Sequence, residues 1–131
     1  MQSLEEVRAY FQNDRFASSA GCGVDEIGPR YAKCSLILSD LHKNALGGVM
    51  GGAIFTLADL AFAVASNWEK PGTVAISSNV AYLSAPKGAR LTAEARCVKD
   101  GRTTCYYQIS VRDELSTPVA EIACTGFHTA K

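Results

Sequence analysis

The chain has 131 residues, with 13 Lys+Arg against 13 Asp+Glu, no net charge, 47% hydrophobic and 20% charged residues. That length fits one domain over 1–131 with no second core, and the composition excludes disorder. Balanced charge leaves no footprint for phosphate backbones or anionic lipid, so neither nucleic acid nor a membrane is an expected partner.

The N-terminus, MQSLEEVRAYF, carries charges where a signal peptide needs an apolar run, which points to the cytoplasm. Ser3-Leu4-Glu5-Glu6 reads as a capping box, with Leu4, Val7 and Phe11 at helical spacing. This predicts a short helix over about residues 3–13, within a helical segment 1–20 that packs as a lid on the domain edge. Gly28-Pro29 marks a turn between a short strand near 22–27 and a longer one at 30–39. In the longer strand Ala32, Cys34, Leu36 and Leu38 alternate onto one core-facing side.

Residues 51–67 (GGAIFTLADLAFAVASN) are rich in Ala and Leu, contain no proline and follow a glycine-bearing loop. A long helix is predicted, apolar nearly all round and so covered on most sides. A mid-helix aspartate and its length make it a core helix, not a membrane span. Strands follow at 73–83, 91–98, 103–112 and 118–128, with Asp100-Gly101 as a hairpin turn. In 73–83, alternation sets Val74, Ile76, Val80 and Tyr82 on one face, and Ser77 with Asn79 opposite Ser78. Helix, two strands, long helix and four strands make an α+β fold, one helix wrapped by an antiparallel sheet.

The five cysteines lack a CxxC pair and are odd in number, as in a reducing compartment. His42 and His128 have no Cys or carboxylate at ligand spacing, which argues against zinc, and both read as surface residues.

Between Asn44 and Trp68 the one ionisable residue is Asp59, flanked by Leu57, Ala58, Leu60 and Ala61. A buried, unpaired carboxylate costs several kcal/mol unless it is compensated. It is either a structural aspartate bonding a strand or subunit, or a base or nucleophile in a dry cleft. The preceding loop, Asn44 to Gly52, ends at the helix start, where free N–H groups and the macrodipole can stabilise an oxyanion. It matches neither a P-loop nor a dinucleotide fingerprint. Gly51 and Asp59 lie eight residues apart, about 12 Å along a helix axis. One substrate carbonyl cannot touch both in the same chain, so joint action requires two subunits with their long helices antiparallel.

The run Asn44–Ala63 (NALGGVMGGAIFTLADLAFA) resembles the signature of hotdog-fold acyl-CoA thioesterases of the phenylacetate-degradation type. Asn79-Val-Ala-Tyr-Leu-Ser84 and the hairpin Lys99-Asp-Gly-Arg-Thr103 also fit, and the resemblance spans about 15–128. It implies one central helix wrapped by a curved antiparallel sheet, homodimers that can pair into tetramers, and hydrolysis of acyl-CoA without a cofactor. By position, Asp59 would be the nucleophile or general base, the Gly51 N–H would polarise the carbonyl, and Asn44 would position carbonyl or water. Met50, Gly52, Ser77, Asn79 and Ser84 would line the substrate site, and Lys87 and Arg102, with Arg90, are candidates for the phosphates of CoA. One departure is Met50, where the family usually has histidine; a methionine cannot donate a hydrogen bond. A medium-chain or aryl thioesterase is therefore the leading expectation, and a non-catalytic hotdog binder of an acyl or aryl ligand the alternative. A hydratase would need a histidine that 51–67 lacks.

Overall fold

The computed structural model describes residues 1–129; the last two residues of the expected domain lie outside the described residues. Helix α1 (Leu4–Phe11) starts at Ser3, whose side chain accepts from the Glu6 N–H, and it buries Val7 and Phe11. A second helix, α2 (Arg15–Ser19), follows after Asp14. The helix expected at about 3–13 is therefore α1, and α2 is an additional helix beyond it, whose five residues are too few to show a helical period. Strands β1 (Gly23–Gly28) and β2 (Tyr31–Ile37) form a hairpin, and a 3₁₀ turn at Asp40–His42 leads into the glycine loop. Helix α3 (Gly51–Asn67) has the predicted boundaries. Strands β3 (Thr73–Tyr82), β4 (Arg90–Asp100), β5 (Thr104–Asp113) and β6 (Pro118–His128) complete the chain.

The six strands form one antiparallel sheet in the order β1-β2-β4-β5-β6-β3. It curls round α3, which contacts all six strands. Leu57 and Val64 of the helix are fully buried, as are Leu36, Leu91, Ile109 and Ile122 of the sheet. Burial of each such side chain contributes about 1.5–3 kcal/mol, so this layer is the main force holding helix to sheet. Cys22, Cys34, Cys105 and Cys124 fill gaps in the same core.

Two expectations change. The helix is covered on one side only: Gly52 and Asp59 are exposed, and Phe55, Thr56, Ala63 and Ser66 are half-buried. At 100° per residue these six positions form a single stripe. The second change concerns the edge strand β3. A bulge between Ala75 and Ser77 breaks the alternation, with Val74 opposite Phe127 but Ser77 opposite Thr125. Val74 consequently faces away from α3, and past the bulge Ser78, Val80 and Tyr82 face the helix.

Candidate active site

The loop before α3 is built by Asn44. Its Oδ1 accepts from the N–H groups of Leu46 and Gly48 at 2.9 and 3.1 Å. Its own N–H donates to the Gly48 carbonyl at 2.8 Å, and Gly47 turns the chain with φ +86°. With Oδ1 committed to the loop, Nδ2 is the atom left to donate to a ligand. Below the loop sits His42, only 5% exposed, which corrects its reading as a surface residue. Its Nδ1 accepts from the Ser39 N–H at 3.0 Å, so Nε2 carries the proton that bonds the Ala20 carbonyl at 2.6 Å. The His42 carbonyl in turn accepts from the Met50 N–H at 2.7 Å. A neutral, buried imidazole thus ties the glycine loop to the end of α2.

Met50 is the N-cap of α3, and no side chain caps the helix there. The N–H groups of Gly51 and Gly52 precede the first intrahelical bond, which Ala53 makes to the Met50 carbonyl. The macrodipole adds about half a positive charge at this end. Tyr82, on the helix side of β3, donates its phenol to the Gly51 carbonyl at 3.0 Å. A β-carbon on residue 51 would lie 3.1 Å from Tyr82 Cζ and Oη, so the ring occupies the place of a side chain there. The methyl end of Met50 lies across Gly52, 3.4 Å from where a β-carbon would stand. Met50 therefore takes its place as an apolar cover, with no donor of its own.

Asp59 is not enclosed within the chain; the sequence expectation set it in a dry cleft between two subunits. It sits on the open stripe of α3, in a groove of about 390 Å³ lined by Asp14, Phe16, Ala17, Phe55, Thr56 and Leu60. Desolvation on its walled side, and then the negative charge of Asp14, raise the Asp59 pKa above the usual aspartate value of 3.8. Exposure and raised pKa are compatible, because one side of the carboxyl faces apolar groups and the other faces water. Phe16, at the groove rim, is 78% exposed.

A helix terminus with unclaimed N–H groups and a carboxylate on the same helical stripe suit acyl transfer, which needs an oxyanion site and a base or nucleophile. The profile of the thioesterase superfamily matches residues 46–120, taking in both features. The chain belongs to the thioesterase superfamily. Its fold is the hotdog fold of the PaaI-type thioesterases, and like them it is a thioester hydrolase. The acyl-coenzyme A thioesterase PaaI of Escherichia coli is 27% identical over 91% of this chain and 86% of its own. The solved structure of that protein, from the phenylacetic acid degradation operon, superposes with a TM-score of 0.88. It covers 98% of this chain and 97% of its own at 25% identity. A mutant of the phenylacetic acid degradation protein PaaI from Thermus thermophilus is 32% identical, with a TM-score of 0.82, over 88% of this chain and 99% of that one. A hypothetical thioesterase of Streptococcus pneumoniae, solved with coenzyme A, gives a TM-score of 0.84 at 25% identity over 92% and 98%.

The remaining candidate residues of this thioesterase scatter. Ser77 and Asn79 pair with Thr125 and Ala123, on the face away from α3, which corrects their assignment to the site. Ser78 instead shares the helix side with Val80 and Tyr82, and its hydroxyl donates to Cys124 Sγ at 3.4 Å. Ser84 is occupied with the Pro118 carbonyl, and the Lys87 backbone with Asp113 Oδ2 at 2.8 Å. Arg90 bonds Ser35 and Asp25. Arg102 lines a cavity at the other end of α3, beside Ser66 and Glu69, so within one chain it is remote from Gly51. His128 also departs from the surface reading. Strand pairing gives it the carboxylate neighbour that sequence spacing denied, with Nε2 2.7 Å from Asp100 Oδ1.

Tyr82 and His42 were the residues sequence reasoning missed. The signal for Tyr82 was an aromatic among the alternating apolar residues of the strand that follows the long helix. His42 carried none, because its partner Ala20 lies 22 residues away. Among the described residues, no helix is long and apolar enough to cross a membrane.

Proposed function

We propose that the chain hydrolyses acyl-CoA thioesters with medium-chain or aryl acyl groups, at a site shared by two copies, in the cytoplasm. The observation carrying this reading is that Gly52, Phe55 and Asp59 share the open stripe of α3, with Gly51 beside it at the uncapped end. Residue 55 lies midway between 51 and 59. A two-fold axis near Phe55 would therefore set the Gly51 N–H of one copy against Asp59 of the other. The edge strand β3 supports the same pairing, since it is ten residues long and exposes Val74 and Ile76.

In this arrangement the thioester carbonyl accepts from the Gly51 N–H, with Asn44 Nδ2 as a second donor. Asp59 either takes a proton from the water that attacks the carbonyl carbon, or attacks that carbon itself to form a mixed anhydride that water then cleaves to the free acid; in both routes CoA leaves as the thiolate. Coverage by the second copy desolvates Asp59 further, which strengthens it as a base. Phe16, Phe55 and Leu60 wall the groove beside the carboxyl, which suits an apolar or aromatic acyl group. CoA as the thiol is supported by the coenzyme A held in the S. pneumoniae relative.

The test is subunit complementation, read as thiol release from octanoyl-CoA and phenylacetyl-CoA. Asp59→Asn and Gly51→Val homodimers each lose about tenfold or more of the rate. Mixed dimers carry one intact site, and recovery toward half of the wild-type rate supports the reading. Mixed dimers no faster than the parents would refute a shared site. Saturable binding with no turnover in the wild type would favour the non-catalytic binder.

A further inference from the structure

Helix α3 stops at Asn67, whereas β4, β5 and β6 run on past it, leaving the concave face uncovered. The space is a cavity of about 520 Å³, lined by Arg30, Ser66, Asp100, Arg102, Tyr107 and His128. Asp100 pairs with Cys105, Cys105 with Gly126 and His128 with Thr73, so all these positions face inward together. A carboxylate oxygen of Asp100, Cys105 Sγ and a ring nitrogen of His128 lie within 4.8 Å of one another.

We propose that Asp100, Cys105 and His128 form a binding site for a zinc-like divalent cation, separate from the thioester site. The donor set is one oxygen, one nitrogen and one sulfur from three different strands, a combination that suits zinc. Around a tetrahedral zinc such donors stand about 3.4–3.6 Å apart, given bonds of about 2.1–2.3 Å. The pair at 2.7 Å needs to open by less than about 1 Å and any pair as wide as 4.8 Å to close by about as much, while Asp100 and His128 line the cavity, from which a water can approach as fourth ligand.

Each ligand also has outer support of the kind metal sites use. Thr73 Oγ1 lies 2.8 Å from His128 Nδ1, and Arg30 Nε holds the other Asp100 oxygen at 2.9 Å. Thr73 and Arg30 thus fix the ring and carboxylate while leaving Nε2 and Oδ1 for the cation. Gly126 makes the sulfur position possible, since a β-carbon there would sit 2.7 Å from Cys105 Sγ. Burial pushes the Cys105 thiol up to about 11, so it is protonated in the metal-free protein. Coordination releases that proton to solvent. The ring proton moves to Nδ1, where Thr73 Oγ1 accepts it, and no redox step is involved.

The site is tested by titrating chelator-treated full-length protein with Co²⁺, following the thiolate-to-cobalt charge-transfer absorption. One equivalent per chain is expected, with the band lost in Cys105→Ser. Affinity should fall by about tenfold or more in His128→Gln and Asp100→Asn. These two polar replacements leave the apolar core intact and decide the matter if Cys105→Ser fails to fold. Zn²⁺ should raise the thermal midpoint of the wild type and not of His128→Gln. No stoichiometric binding by the wild type, or binding unchanged in the variants, overturns the proposal. Because these ligands lie outside the thioester site, failure here leaves the complementation result untouched.

Discussion

Tyr82 and Gly51 are locked together: the phenol donates to the Gly51 carbonyl at 3.0 Å, and the ring fills the volume of a missing side chain. The edge strand thereby sets the position of the helix end whose N–H groups face outward. In the proposed reaction, the placement of this terminus would rest on a residue 31 positions away that takes no chemical part itself.

Gly51→Ala should force the Tyr82 ring aside by a few tenths of an ångström and slow thioester turnover by roughly tenfold. Tyr82→Ala should also slow it, through loss of the anchoring bond. The double variant should lose less than the product of the two effects, because the clash disappears with the ring. Thiol-release rates for the four proteins test this; strict multiplicativity would show that the two residues act separately.

In the proposed reaction Asp59 acts as a carboxylate, so turnover should rise with pH through a pKa above 3.8, since desolvation and then Asp14 raise it. Asp14→Asn removes the second cause and should move the acid limb of kcat/KM to lower pH. Stability has the opposite sign. A raised folded-state pKa contributes stability below the unfolded value, and this is lost as pH rises through the folded one. Asp59→Asn should therefore raise the urea midpoint at neutral pH while abolishing most turnover. A lowered midpoint would indicate a structural aspartate.

Asp113 is the reverse case. Burial pushes its carboxyl up, but the N–H groups of Thr117, Gly88 and Lys87 outweigh that and hold it well below 3.8. Its contribution is present above the unfolded pKa and lost as pH falls through the folded value. Urea midpoints of the wild type should fall on acidification below about 4, whereas Asp113→Asn should start lower at neutral pH and depend less on acid. Equal slopes would place the acid sensitivity elsewhere.

Much of this architecture was legible in the residues, for identifiable reasons. Alternation in β2 gave its core face, since one side of that strand is buried on α3. The glycine loop and Asn67 bounded the long helix. What failed rested on contacts or irregularities that sequence spacing does not carry. Val74 fell on the wrong face because one extra residue resets the period, whereas Ser77 and Asn79 were placed in the site by resemblance although alternation sets them opposite Val80 and Tyr82. Asp59 looked buried because its helical neighbours are, yet it lies on the stripe no strand covers. His42 and His128 looked idle because their partners come from distant elements.

Ile76 is the residue that the ladder skips, since Ala75 meets Gly126 and Ser77 meets Thr125. Its excision would leave a regular zipper in which every remaining side chain keeps its orientation. Removal of any later residue in that strand, Ala81 for instance, would instead rotate part of it by half a turn and expel Tyr82 from its seat. Length variation among descendants of this sequence should accordingly be tolerated at position 76 and selected against further along.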